Sequence, residues 1–372
     1  MTVNELLARF HEVAGNPKAQ MDGYLKAGKK VILVAPVYTP EELIHAMGFV
    51  PMGAWGADME LREAKKYCPA FICSILQSLL ELGIKGDFEG ASAIVIPNLC
   101  DSLRGFGQNW KYAVPSIPFI PMTYPQHRKP SFGADFCKAG YERVIADLEK
   151  YTGEKFDYDK LENSLKVYNA HNAAMRELAV VLADHAEILP SQRSDIFKSA
   201  TFMLKEEHTE LVNQLIEALK AQDGASDRIR IMTTGIIADA PGLTSILDEM
   251  GMQIVADDIA AESRQYRTDA PAEFCPMDSL VKKFQNMDNC SVLYDFYKKR
   301  VDYIIEQIKE YDAKGLLIVM TKFCDPEEFD YPLIKKACEA AGIPTATIEV
   351  DRQMVNYEQA RTAIETFRDV LA

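Results

Sequence analysis

IVIPNLCDSLRG (residues 94–105) and LIVMTKFCDPEE (residues 317–328) decide the fold. Each is an unbroken apolar run that passes straight into Cys-Asp. A run without polar alternation is the pattern of a strand covered on both faces. The surroundings of the two runs match as well. Each Cys-Asp is followed by a helical pattern and then by a run opening with Ile-Pro, Ile117-Pro118 and Ile343-Pro344. Upstream, VILVAP (31–36) leads into PEELIHAMG (40–48), which opens with Pro and two Glu and closes with Gly, as a helix does. FVPMGAW (49–55) follows. In the other half RIRIMTTG (228–235) leads in the same order into APGLTSILDEMGMQIVADD (240–258). Strands alternating with helices build βαβ units and a parallel sheet. The predicted fold is α/β, with two Rossmann-like parallel-sheet domains related by internal duplication and an additional helical segment.

That segment lies between the halves. Residues 137–222 hold long helical stretches such as SATFMLKEEHTELVNQLIEALKAQ and no strand pattern. The expected division is therefore a first α/β domain over 1–136, including an N-terminal helix over 4–28, a mainly helical part over 137–224, and a second α/β domain over 225–372. The length of 372 residues suits two or three domains at roughly 150 residues each.

Charge and motifs exclude several functions. With 41 basic and 55 acidic side chains the net charge is -14, opposite to what a phosphate backbone or an anionic lipid surface attracts. No stretch approaches the ~20 apolar residues of a membrane helix. The polar N-terminus is not a signal peptide, and a cytoplasmic location is expected. Neither G-x-G-x-x-G nor G-x-x-x-x-G-K-[ST] occurs, so nucleotide binding and ATP hydrolysis are not expected of this chain. There is no H-E-x-x-H among the six histidines and no G-x-S-x-G elbow.

The eight cysteines are the remaining chemistry. In the cytoplasm they are not expected to pair as disulfides. Cys100 and Cys324 stand where ligands bind in open parallel sheets, at strand carboxyl ends. Cys73 opens the amphipathic helix CSILQSLLELG, where the positive end of the helix favours a thiolate. Cys68 precedes a Pro, and Cys275 in AEFCPMDSL echoes it. Cys137, Cys290 and Cys338 read as core thiols. The spacing is neither that of a zinc ribbon nor that of a ferredoxin. Three thiolates at strand and helix ends suit a [4Fe–4S] cluster with one iron left open.

APVYTPEELIHAMGFVP, the CSILQS helix start and IVIPNLCDSLRG resemble the 2-hydroxyacyl-CoA dehydratase component D family, which also contains benzoyl-CoA reductase subunits. The likeness covers essentially the whole chain and is greatest to β subunits acting with 2-hydroxyisocaproyl- or phenyllactyl-type thioesters in amino-acid fermentation. It implies a hydro-lyase subunit in an αβ heterodimer, with one [4Fe–4S] cluster on three cysteines between two Rossmann-like domains. The family's strand-end ligands fall on Cys100 and Cys324. Its first ligand falls on Cys73 if the helix start is matched and on Cys68 if the Cys-Pro pair is matched, with Cys73 preferred. The resemblance also implies the mechanism. One electron, driven by a separate ATP-dependent iron–sulfur activator, makes a ketyl radical anion that expels the 2-hydroxyl, and the electron is then recycled. Substrate would sit mainly on the α subunit, so no catalytic residue is assigned here. The alternatives are a subunit of a benzoyl-CoA-type reductase and a two-domain binding protein with structural thiols. Asp101 and Asp325 are expected to fix the strand-end turns, Arg104 to balance charge or pair at the surface, and Glu41 and Glu42 to complement a helix N-terminus.

Overall fold

The computed structural model describes residues 1–225 and 227–372. The N-terminal helix is two helices, α1 (Val3–Gly15) and α2 (Pro17–Lys26). Asn16 ends the first and caps the second, its side chain accepting from the Ala19 N–H, and Pro17 takes the first position of the new helix, where no N–H is needed. The single helix expected over 4–28 is broken for that reason.

The first sheet is formed by β1 (Val31–Val34), β2 (Val50–Gly53), β3 (Ala93–Pro97) and β4 (Phe119–Met122), with α3 (Glu41–Ala46), α4 (Ser74–Lys85) and α5 (Asp101–Ala113) between them. All pairings are parallel and the order is β2-β1-β3-β4. Every residue of β1, β2 and β3 is buried, which is why these strands read as continuous apolar runs.

Four helices follow: α6 (Ser131–Thr152), α7 (Tyr158–Leu182), α8 (Pro190–Ser199) and α9 (Lys205–Lys220). The last three join α1 in a separate apolar core through Phe10, Leu178, Phe197 and Leu215.

The second sheet has β5 (Ile229–Gly235), β6 (Met252–Ile259), β7 (Gly315–Thr321) and β8 (Thr345–Val350), ordered β6-β5-β7-β8 and again all parallel. Its helices are α10 (Pro241–Glu249), α11 (Pro276–Asn286), α12 (Arg300–Glu310), α13 (Asp325–Ala340) and α14 (Glu358–Leu371). Strand for strand, the two sheets share one topology, as the duplicated pattern predicts.

The halves are locked together by apolar and ionic contacts. Helix α11 sends Met277, Leu280 and Phe284 into the core beneath the first sheet, where Phe284 stacks on Tyr124 at 4.1 Å between ring centroids. Lys283 on the same helix forms a buried ion pair with Glu42 at 2.5 Å. Across the other side, Arg352, just beyond β8, pairs with Asp58 and Asp239 at 2.9 Å each.

Candidate metal centre

In both sheets the order reverses between the two central strands, β1 and β3 in one and β5 and β7 in the other. A crevice opens outside the carboxyl ends at such a point. Here the two crevices face each other and merge into one cavity of about 60 Å³. Pro36 and Val37 line it from the end of β1, Cys100 from the loop after β3, Ile236 from β5, and Thr321 and Cys324 from β7. Cys73 completes the wall from the start of α4. The structure thus brings together the three cysteines singled out from sequence.

Each of the three is the residue immediately before a helix: Cys73 caps α4, Cys100 caps α5 and Cys324 caps α13. The positive ends of three helices therefore stand at the cysteines, and the helix dipoles favour thiolates. Burial works against them and prevails for the bare thiols. It pushes Cys73 up to about 12, with the neighbouring Cys100 sulfur adding to the rise. It raises Cys100 as well, and Cys324 still further, where the Glu327 carboxylate adds to the effect. The cavity thus holds three thiols that stay protonated until a cation displaces their protons.

Cys68 lies outside this wall. It is buried under α4 among Leu76 and Leu79 and accepts a bond from Asn109 Nδ2 at 3.7 Å. Cys275 caps α11, is exposed, and donates to Asp278. Cys137, Cys290 and Cys338 are buried core thiols. Of the two aspartates, Asp325 lines the cavity, whereas Asp101 points to solvent with Arg104 at 3.5 Å. Among the described residues, no three His, Cys, Asp or Glu side chains converge tightly enough to hold a single metal ion.

Behind Cys324 stands a buried ionic lattice with no sequence signature beyond scattered charges. Glu327, in the first turn of α13, accepts from Arg300 at 2.7 Å, Arg264 at 3.0 Å and Ser291 at 2.6 Å. Both arginines also bind Asp258, and Arg300 reaches Asp330. Burial would raise Glu327, but the two guanidiniums reverse this and hold its carboxyl below the usual range. The lattice fixes the first turn of α13, and with it the position of Cys324.

A second cavity, of about 70 Å³, lies on the far side of the loop after β1. Glu41 pairs there with Lys205 at 3.2 Å and accepts from Tyr168, while Glu42 holds Lys283. Their place at a helix start is as expected. Their burial and their partners are not visible in the local sequence. Two histidines are also paired in this region. His208 Nε2 faces the Ile196 carbonyl at 3.1 Å and so carries the proton. His208 Nδ1 then accepts from His171 Nε2 at 3.1 Å, and His171 Nδ1 is left a buried acceptor.

Two like-wound parallel sheets with three thiols from both halves around their joint crevice define an α/β protein with a cysteine-lined cavity between its halves. The family model for the 2-hydroxyglutaryl-CoA dehydratase D-component matches residues 36–371, and the chain belongs to that family. It is 47% identical over 365 residues, 97% of each chain, to the (R)-phenyllactyl-CoA dehydratase beta subunit of Clostridium sporogenes. It is 38% identical over 380 residues, the full length of both, to the beta subunit of (R)-2-hydroxyglutaryl-CoA dehydratase from Acidaminococcus fermentans. Identity to a benzoyl-CoA reductase subunit of Thauera aromatica is 26% over 349 residues, 92% of this chain and 90% of that one.

Proposed function

We propose that the chain is the β subunit of an iron–sulfur (R)-2-hydroxyacyl-CoA dehydratase, with Cys73, Cys100 and Cys324 holding one [4Fe–4S] cluster. The observation that carries this is the convergence of three helix-capping thiols, two from one half and one from the other, on a single cavity. The donor set fits the group. A cluster accepts one thiolate at each of its corners, so its ligands stand further apart than the ligands of one ion. The buried Thr321 hydroxyl in the wall has no partner among the described residues, and cluster sulfide is an acceptor.

When bound, the cluster supplies one-electron transfer at low potential. The chain's own residues do the rest. Backbone N–H groups at three helix starts offset the thiolate charge. The carboxylates of Asp325 and Glu327 nearby disfavour added electrons, which keeps the potential low. Apolar Val37, Ile236 and Leu103 exclude water. As the family likeness implies, the substrate is held mainly by an α subunit, and the electron comes from an ATP-dependent iron–sulfur activator. Exposed aromatic side chains flank the thiols, Phe71 two residues from Cys73 and Phe323 beside Cys324, and supply surface for such partners.

A reductase subunit would use the same thiols. The higher identity to dehydratase β subunits favours dehydration, and the product, an enoyl thioester or a reduced ring, separates the two. The test is anaerobic co-purification with the α subunit, with iron and sulfide measured for Cys68→Ser, Cys73→Ser, Cys100→Ser and Cys324→Ser. Loss of about four irons per chain in the last three and retention in Cys68→Ser is expected. Unchanged iron in all four overturns the assignment.

A further inference from the structure

We infer that Thr321 is a positioning residue that donates a hydrogen bond from its hydroxyl into the cysteine cavity and raises the reduction potential of the group held there. The inference rests on the cluster reading above. It begins from an unsatisfied atom. Thr321 is the last residue of β7, 2% exposed, and its Oγ1 is buried with no hydrogen-bond partner. A buried hydroxyl without a partner costs about 1–3 kcal/mol, and Val, of nearly the same shape, would avoid that cost. The hydroxyl is therefore placed for a partner that the protein itself does not provide.

Where that partner sits follows from the backbone. The Thr321 carbonyl accepts from the Cys324 N–H at 3.0 Å, closing the turn that carries the third thiol. Phe323 inside this turn has φ +62°, a left-handed conformation that a bulky residue rarely adopts. This tight turn places residue 321 and Cys324 together on the wall of one cavity. Thr321 thus stands in the wall that also carries the three cysteines. Thr321 also borders a smaller pocket of about 10 Å³, beside Asp239 and Arg352. That space is at the lower limit for a single water, and neither charged side chain takes the hydroxyl's proton.

The direction of the effect follows from charge. Adding an electron increases the negative charge on the sulfurs, so a hydrogen bond to sulfur stabilises the reduced form more than the oxidised one. The carboxylates of Asp325 and Glu327 act in the opposite sense. Thr321 is the one side-chain hydroxyl in this wall that is buried and unpartnered among the described residues, and it sets how far those carboxylates can lower the potential.

The experiment compares Thr321→Val and Thr321→Ser with the parent, each co-purified anaerobically with the α subunit. Iron content is measured first, then the reduction of this chain's cluster in an EPR-monitored titration. Thr321→Val is expected to keep its iron and to be about tenfold less reduced at a fixed poise, a shift of 59 mV to lower potential for one electron. Thr321→Ser, which keeps the donor, is expected to restore the parent's value. A cluster present in all three proteins with one unchanged potential overturns the inference and assigns the hydroxyl to a water in the smaller pocket. Absence of iron from the parent overturns the cluster reading along with it.

Discussion

Arg352 is the residue whose loss should part the two halves. Its side chain is 4% exposed and stands between Asp58 from the first half and Asp239 from the second, at 2.9 Å from each. Its Nη2 also lies 3.4 Å from the Trp55 carbonyl. The backbone makes the same junction, since the Arg352 N–H donates to Ser74 Oγ and its carbonyl accepts from the Met59 N–H. Ser74 follows the cavity residue Cys73. Burial would raise the Asp239 carboxyl, but Arg352 and Lys198 reverse this and hold it well below the usual range. In Arg352→Met, Asp239 keeps Lys198 at 3.1 Å, while Asp58 is more exposed and rehydrates. Removing one member of a buried ionic group costs about 3–5 kcal/mol, or roughly 150- to 5,000-fold in the equilibrium at 1.36 kcal/mol per decade. The assay is native-state hydrogen exchange, read at the amides of Met59 and of residue 352, both of which bond across the junction. Their protection should fall by two or more decades, while amides in the centre of β3 change less. Arg352→Met combined with Asp239→Asn should recover part of the loss, because much of the cost lies in the uncompensated charge. A single variant within about 1 kcal/mol of the parent, well below that range, would show that the contacts of α11, apolar and ionic, hold the halves together without Arg352.

The remaining predictions concern the buried polar groups and one turn. Burial, with Lys205 nearby, lowers His208 to about 3 and His171 well below its usual value. The folded state therefore binds fewer protons than the unfolded chain, and the stability these residues contribute is complete above pH 6.5 and is lost as pH falls toward 3. Between pH 7 and pH 5 the loss should be about 2 kcal/mol for His208, with His171 acting in the same direction; urea denaturation of the parent and of His208→Gln at both pH values measures it, and an equal slope in the two contradicts the assignment. Glu327→Gln, which leaves Arg264 and Arg300 a carboxylate short, should cost about 3–5 kcal/mol of stability in urea denaturation and shift the potential of the proposed cluster upward, since a negative charge beside Cys324 is removed; a lower potential would reverse the sign of the argument. Gly56 has φ +73°, and a Cβ there would lie 2.1 Å from Ser78 Oγ and 2.7 Å from the Ile75 carbonyl. Gly56→Ala should therefore lower stability by at least the ~1–3 kcal/mol of backbone strain, visible as a lower melting temperature.

The strands, their order of appearance and the repeat are legible because a fully buried parallel strand admits only apolar side chains. The cavity thiols are legible for a related reason, since Cys100 and Cys324 follow such strands within three residues. The break at Asn16-Pro17 is written in the sequence, but hydrophobic periodicity runs through it and masks it. The ionic lattice around Glu327 and the pairs of Glu41 and Glu42 are not legible. Their partners are up to 241 positions away, and local pattern carries no information about which distant charge will be buried beside another. The choice between Cys68 and Cys73 is open in sequence because both precede α4. Only the fold shows one beneath the helix and the other at its first turn.

The duplication also explains why two similar halves build one centre rather than two. In each half a cysteine follows the second central strand, Cys100 after β3 and Cys324 after β7, and another caps a helix that precedes that strand in the chain, Cys73 on α4 and Cys275 on α11. The helix directly before β7 is α12, which packs on α13 as α4 packs on α5, so α11 with Cys275 at its start is an additional helix of the second half. Three of these four meet in the cavity. Cys275 does not, because α11 turns into the core of the other half, with Phe284 on Tyr124 and Lys283 on Glu42, and its capping residue is left at the surface beside Asp278. The same helix that joins the halves withdraws the fourth thiol. The proposed cluster on the other three would keep one position without a cysteine ligand from this chain's cavity.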